Sequence, residues 1–150
     1  MRKTLPIVVI FIALITNIFC DCVDNDYYNG YLIDASAINF DIDGGKDSVH
    51  ITNNEAVIIN ATDYDWHGNS LKTTTYTPNE AKDSVEGEWF KCVKVVHDEI
   101  FQYYIITVKP NTTGKNRKAD IVLRGTEPKT SGNGKRYYCE ETLSIYQDAK

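Results

Sequence analysis

The side chains best equipped for chemistry in this sequence lie in the run Tyr64-Asp65-Trp66-His67-Gly68-Asn69, which joins two aromatic rings to a carboxylate, an imidazole and an amide. An aromatic face stacks on the C–H groups of a pyranose while polar neighbours take its hydroxyls. Trp66 is therefore read as a stacking platform, with Tyr64, His67 and Asn69 beside it. The competing reading has Trp66 and Tyr64 folding back to cover an edge of the domain. Catalysis finds less support. The three histidines, His50, His67 and His97, fall in different segments with no patterned partner, and neither Gly-x-Ser-x-Gly nor His-Glu-x-x-His occurs. No catalytic residue is assigned, and the chain is not expected to be an enzyme. Asp41-x-Asp43-Gly44 resembles the start of a calcium loop, but its twelfth position is Thr52, not a bidentate Glu, so a hairpin turn is expected with no metal and no cofactor.

These residues need an address and a scaffold. The chain has 150 residues, 42% apolar and 25% charged, enough for one domain and too mixed for a fibrous or low-complexity chain. Its formal charge is -5, and about -7 without Arg2 and Lys3, so nucleic acid is not an expected partner. Residues 1–20 open with those two cations and continue through a nearly unbroken apolar run, as an export signal does. The run is about 14 residues long, short of the roughly 20 that a spanning helix needs. It ends at Cys20, the expected lipid acceptor of an outer-membrane or cell-surface lipoprotein, with 21–33 as an acidic tether carrying Asp21, Asp24 and Asp26. Asn17 and Phe19 depart from the usual lipoprotein box. Cleavage after Cys20 into the periplasm or medium is the alternative, and an uncleaved anchor a third.

Cys92 and Cys139 both fall within predicted strands, and an exported chain meets oxidising surroundings, so a disulfide between them is expected; two buried thiols are the alternative. No Cys-x-x-Cys or Cys-His spacing suggests zinc.

From residue 34 onward, short segments of alternating polarity are broken by Gly, Asn and Asp, and no stretch of ten residues has helical periodicity. Strands are expected at 37–42, 47–52, 56–61, 88–97, 100–109, 117–124 and 137–147, with 62–87 as a long polar loop. Seven such strands joined by loops of Greek-key length predict an all-β, immunoglobulin-like antiparallel sandwich over 34–150. In the turn after Val108, Asn111 is suited to bonding local backbone and Gly114 to a positive φ. Arg117 is expected to bridge turn carbonyls or stack on a Tyr.

Several of these pieces, taken in order, carry a resemblance. Ile38-x-Phe40, then Asp43-Gly44-Gly45, then Val49-x-Ile51-Thr52-Asn53, and the strand led by Trp89 come first. The run Ile106-Thr107-Val108-x-Pro110-Asn111-Thr112-Thr113-x-x-x-Arg117-x-Ala119-x-Ile121 and the ending Leu143-Ser144-Ile145-x-Gln147 complete it. Together they resemble the BACON family, the Bacteroidetes-associated carbohydrate-binding, often N-terminal domain. The resemblance implies an immunoglobulin-like sandwich on an exported, often lipid-anchored protein, with glycan as the ligand. It equally implies a structural spacer or protein-interaction role without a soluble ligand. The chain departs from the family pattern in its 62–87 segment and in lacking an adjoining catalytic domain.

Overall fold

The computed structural model describes residues 32–52, 56–67, 69–97 and 101–149. The expected signal segment 1–20, the expected lipid acceptor Cys20 and most of the expected 21–33 tether lie outside the described residues. The strands are β1 (Ala37–Phe40), β2 (Gly45–His50), β3 (Ala56–His67), β4 (Ser70–Tyr76), β5 (Ser84–Glu86) and β6 (Phe90–Val96). They continue as β7 (Gln102–Val108), β8 (Arg117–Gly125), β9 (Lys129–Thr130), β10 (Arg136–Tyr137) and β11 (Glu140–Gln147). One sheet is ordered β1-β11-β8-β3-β4 and the other β2-β7-β6-β5, while β9 and β10 make a small separate ribbon. The two sheets pack as an immunoglobulin-like sandwich. All neighbouring strands are antiparallel except β1 and β11, which run parallel from Ala37 opposite Ser144 to Phe40 opposite Gln147.

Period-two sequence produces the two faces. Along β7, Gln102, Tyr104, Ile106 and Val108 point into the core while Tyr103, Ile105 and Thr107 alternate with them. Along β8, Ala119, Ile121 and Leu123 do the same. Ile38, Phe40, Ile58, Ala61, Phe90, Leu143 and Ile145 join them between the sheets. The Tyr104 hydroxyl crosses the sandwich and donates to the Ala56 carbonyl at 2.9 Å, which lets a phenol sit fully buried. Leu32 and Ile33, which precede position 34, are also core residues, and Ile33 bridges to Ile51.

The segment 62–87 is not a loop. β3 runs on to His67, turns, and returns as β4, and β5 adds an edge to the other sheet. The sheets therefore hold nine strands where the sequence pattern marks seven. β4 is an edge strand with Ser70 through Thr75 all exposed, so no polar–apolar alternation signals it; its Thr73-Thr74-Thr75 run supplies β-branched residues that fit a pleated surface.

The expected Cys92–Cys139 disulfide is absent. Cys92 is fully buried on β6, paired with Val85 and Ile106 in the four-stranded sheet. Cys139 lies in the link before β11, where its main-chain oxygen accepts from the Gly125 amide at the end of the other sheet (2.9 Å). The last strand starts only at Glu140, so Cys139 is not an inward-facing strand residue.

The two turns at one end of the sandwich explain the residues quoted above for the family resemblance. Gly44 takes φ of 70°, and a Cβ there would run into the Val108 carbonyl. Asn111 is buried. Its Nδ2 donates to the Lys115 and Asp148 carbonyls (both 2.8 Å), and its Oδ1 accepts from the Thr113 hydroxyl (2.7 Å). Gln147 Nε2 donates to the carbonyls of Asp41, Ile42 and Lys109 (3.2, 3.3 and 2.9 Å). These amides replace strand ladders where three connections meet.

Candidate functional site

At this same end the β3–β4 hairpin extends past its neighbour. β8 pairs with β3 only as far as Tyr64 opposite Lys118, whereas β4 stays paired out to His67 opposite Ser70. A register shift between Ile58 and Asn60 sets the phase of everything beyond it. Ala61 and Tyr76 face the core as a pair, so Asp63, Asp65 and His67 share the inner face and Tyr64 and Trp66 the outer one.

The four residues expected to form one platform are thus divided. Tyr64 and Trp66 lie on the outer face, His67 on the inner one, and Asn69 in the exposed turn. Consecutive strand residues point to opposite sides, and a segment read as a loop carries no such constraint. Trp66 does not fold back: 54% of it is exposed, and its cross-strand neighbour is Leu71, itself 42% exposed.

The outer face has further members that no pattern in the sequence groups. Asn39, Tyr146, Lys118, Tyr64 and Thr73 form one register row across all five strands. The Lys118 ammonium lies over both rings, 4.9 Å from the Tyr64 centroid and 5.8 Å from that of Tyr146. Asp120 anchors the row. It accepts from Lys118 Nζ at 3.0 Å and from the Ser144 hydroxyl at 2.7 Å. The hydrogen bond to Asp120 raises the Lys118 pKa, and burial raises that of Tyr64. Lysine charged and phenol neutral, the row holds its geometry at neutral pH.

On the inner side, the overhang and the turn before β8 enclose a cleft of about 430 Å³. Asp63, Asp65 and His67 of β3 line it together with Lys115, Arg117, Glu88 and Trp89. His67 Nε2 meets Asp65 at 2.6 Å. Trp89 is buried, packs edge-on against Phe90 with centroids 5.2 Å apart, and carries the Arg117 guanidinium 5.6 Å from its ring. Arg117 therefore stacks on a Trp and not on a Tyr, while its Nη1 donates to Gln147 Oε1 at 3.4 Å. The Asp63 pKa is raised, first by burial and then by the nearby charges of Asp65 and Glu88; the Trp89 indole directed at it opposes this. Among the described residues, no set of three His, Cys, Asp or Glu side chains is placed to hold a metal ion. The sequence offered one sign of this cleft, the acidic alternation Asp63-x-Asp65, and none for Glu88 and Trp89, which reach it from the turn between β5 and β6 of the other sheet.

No protein-family model matches the chain, and no curated protein does. Among solved structures, the chain is similar to a protein from Bacteroides thetaiotaomicron determined by NMR, with 14% identity, 77% of each chain covered and a TM-score of 0.49. It is also similar to murine CRIg, with 6% identity over 76% of this chain and 93% of that one, and a TM-score of 0.35.

Proposed function

We propose that this chain is a non-catalytic, exported surface module that binds glycan on the outer face of its five-stranded sheet. The observation that carries the reading is Trp66: a large ring, more than half exposed, held on a paired strand, with Leu71 opposite it and Tyr64 along the same face. A ring fixed by a strand loses little conformational freedom when a sugar stacks on it, and Thr73, opposite Tyr64 on the same face, supplies a hydroxyl nearby. The N-terminal segment supplies the expectations of export and of lipid attachment at Cys20, and the BACON resemblance that of a carbohydrate ligand.

Replacing Trp66 by Ala should weaken binding to glycan arrays or insoluble polysaccharide while leaving the melting temperature nearly unchanged. A large fall in melting temperature would mark Trp66 as structural and remove it from the site. Leu71 offers a sugar little and an apolar protein surface more, so a second reading makes this face a protein-interaction patch. Loss of a protein partner in the Trp66→Ala variant, with no glycan bound by the native chain, would select it.

A further inference from the structure

The ribbon of β9 and β10 carries a charge opposite to that of the chain as a whole. Residues 128–138 hold Lys129, Lys135 and Arg136 and no acid, in a chain of formal charge -5. None of the three makes an ion pair among the described residues, and Lys135 and Arg136 are exposed. Backbone pairing holds them in place. Arg136 stands opposite Thr130 and Lys129 opposite Tyr137, Gly134 takes φ of 78°, and the Ser131 amide and hydroxyl both donate to the Lys135 carbonyl at 2.9 Å. The ribbon springs from Gly125 and Cys139, whose main chains are hydrogen-bonded to each other. Leu32 enters the sandwich at this same root: its amide donates to Glu141 Oε2 at 2.6 Å, and its side chain lies against Gly125. A second observation is independent of charge. Val96 and Phe101, 60% and 47% exposed, sit at this end of the four-stranded sheet, where Val96 pairs with Gln102, the Gln102 carbonyl accepts from Ile51, and Ile51 bridges Ile33.

We propose that this end of the sandwich docks on a bilayer bearing anionic lipid headgroups, with Lys129, Lys135 and Arg136 at the headgroup phosphates and Val96 and Phe101 at the boundary with the acyl chains. Charge selects this occupant, because unpaired cations on an otherwise acidic chain are attracted to an anionic surface that repels the rest of it. Chain length selects it too. Leu32 follows Cys20 by 12 residues (32 minus 20), so a lipid on Cys20 holds the bilayer within about 40 Å of the ribbon's root. A tether alone leaves the domain free to tumble, whereas a basic patch beside it adds a second attachment and fixes which end faces the lipid. The nine residues of β8 run about 27 Å from Arg117, near the Trp66 overhang, to Gly125 at the ribbon, so Trp66 is carried on the end away from the membrane. Lipid on Cys20 and glycan at Trp66 are the readings given above; the preference for anionic lipid rests on the ribbon.

The test is flotation of the exported full chain with vesicles of phosphatidylcholine and with vesicles of phosphatidylcholine mixed with phosphatidylglycerol. The ratio of the two affinities cancels whatever an acyl chain or apolar segment contributes to both. The mixed vesicles should bind about a hundredfold more tightly at low salt, since each surface cation is worth about fivefold, and the preference should collapse at high salt. The combined variant Lys129→Ser, Lys135→Ser and Arg136→Ser should lose the preference. Its control, Lys46→Ser, Lys72→Ser and Lys91→Ser, removes as many exposed cations from the opposite end and should keep it. Thermal melts of both variants should match the native chain, since none of the six side chains is in the core. Equal binding of the native chain to both vesicles overturns the proposal, as does a preference that survives in the ribbon variant or is lost equally in the control. Mass spectrometry of the same material reads Cys20 separately: a chain without lipid that keeps the ribbon-dependent preference upholds the docking surface and removes only the tether. Trp66→Ala should leave vesicle binding unchanged, so the glycan reading stands or falls by its own assay.

Discussion

Trp66 and Leu71 face each other across the β3–β4 hairpin on the outer side of the sheet, and both leave much of their side chains in solvent. A directly opposed aromatic–aliphatic pair contributes roughly 0.2–1 kcal/mol to a sheet. Leu71→Thr keeps strand propensity and removes the aliphatic contact, so chemical denaturation should show a loss within that range. Glycan affinity should fall less than in Trp66→Ala.

Tyr104→Phe deletes the hydroxyl that spans the two sheets. The Ala56 carbonyl keeps a donor, because Lys94 Nζ also reaches it at 3.1 Å. The cost should therefore be about 1 kcal/mol, the net worth of one buried neutral hydrogen bond, and not the larger penalty of an orphaned acceptor. Urea unfolding with an unchanged slope and a lower midpoint is the expected result.

Gln147→Leu should cost more, about 2–3 kcal/mol. It removes the donor shared by the Asp41, Ile42 and Lys109 carbonyls and the acceptor used by Arg117. Thermal melts of this variant and of Asn111→Ala should fall together, since both amides hold the same end of the sandwich.

Burial pushes the Cys92 thiol up to about 12. At pH 8 only about one thiol in ten thousand is then thiolate, and the thiolate is the form that reacts. Peptide mapping after brief iodoacetamide treatment of the native protein should find Cys139 labelled well before Cys92. A peptide joined through Cys92 and Cys139 under non-reducing conditions would contradict the structure.

Asp63 ionises at a higher pH folded than unfolded, where 3.8 applies, so between those two values the folded chain binds more protons. Its contribution to stability must then fall as pH rises through that window and stay unfavourable above it. Asp63→Asn should accordingly raise the melting temperature slightly at pH 7 and lose that advantage near pH 3. Comparing the two proteins at each pH cancels the other carboxylates.

The all-β class, the core faces of β7 and β8 and the buried side chains of β1 and β11 follow from the sequence by itself, because each alternates with period two and has one face in the core. The aromatic–polar composition around Trp66 was legible in the same way. Tertiary structure alone decided how that composition is deployed. In the overhang beyond Tyr64 both faces of β3 are exposed, so polarity there does not mark a strand, and β4 reads as a loop. The phase set near Ile59 and the pairing with β4 then send Trp66 outward and His67 inward. Glu88 and Trp89 join Asp63 only because one sheet is laid over the other, and Cys92 and Cys139 stay apart because the last strand begins one residue after Cys139. Period and composition are local properties of the chain, whereas register and sheet packing depend on partners distant in sequence.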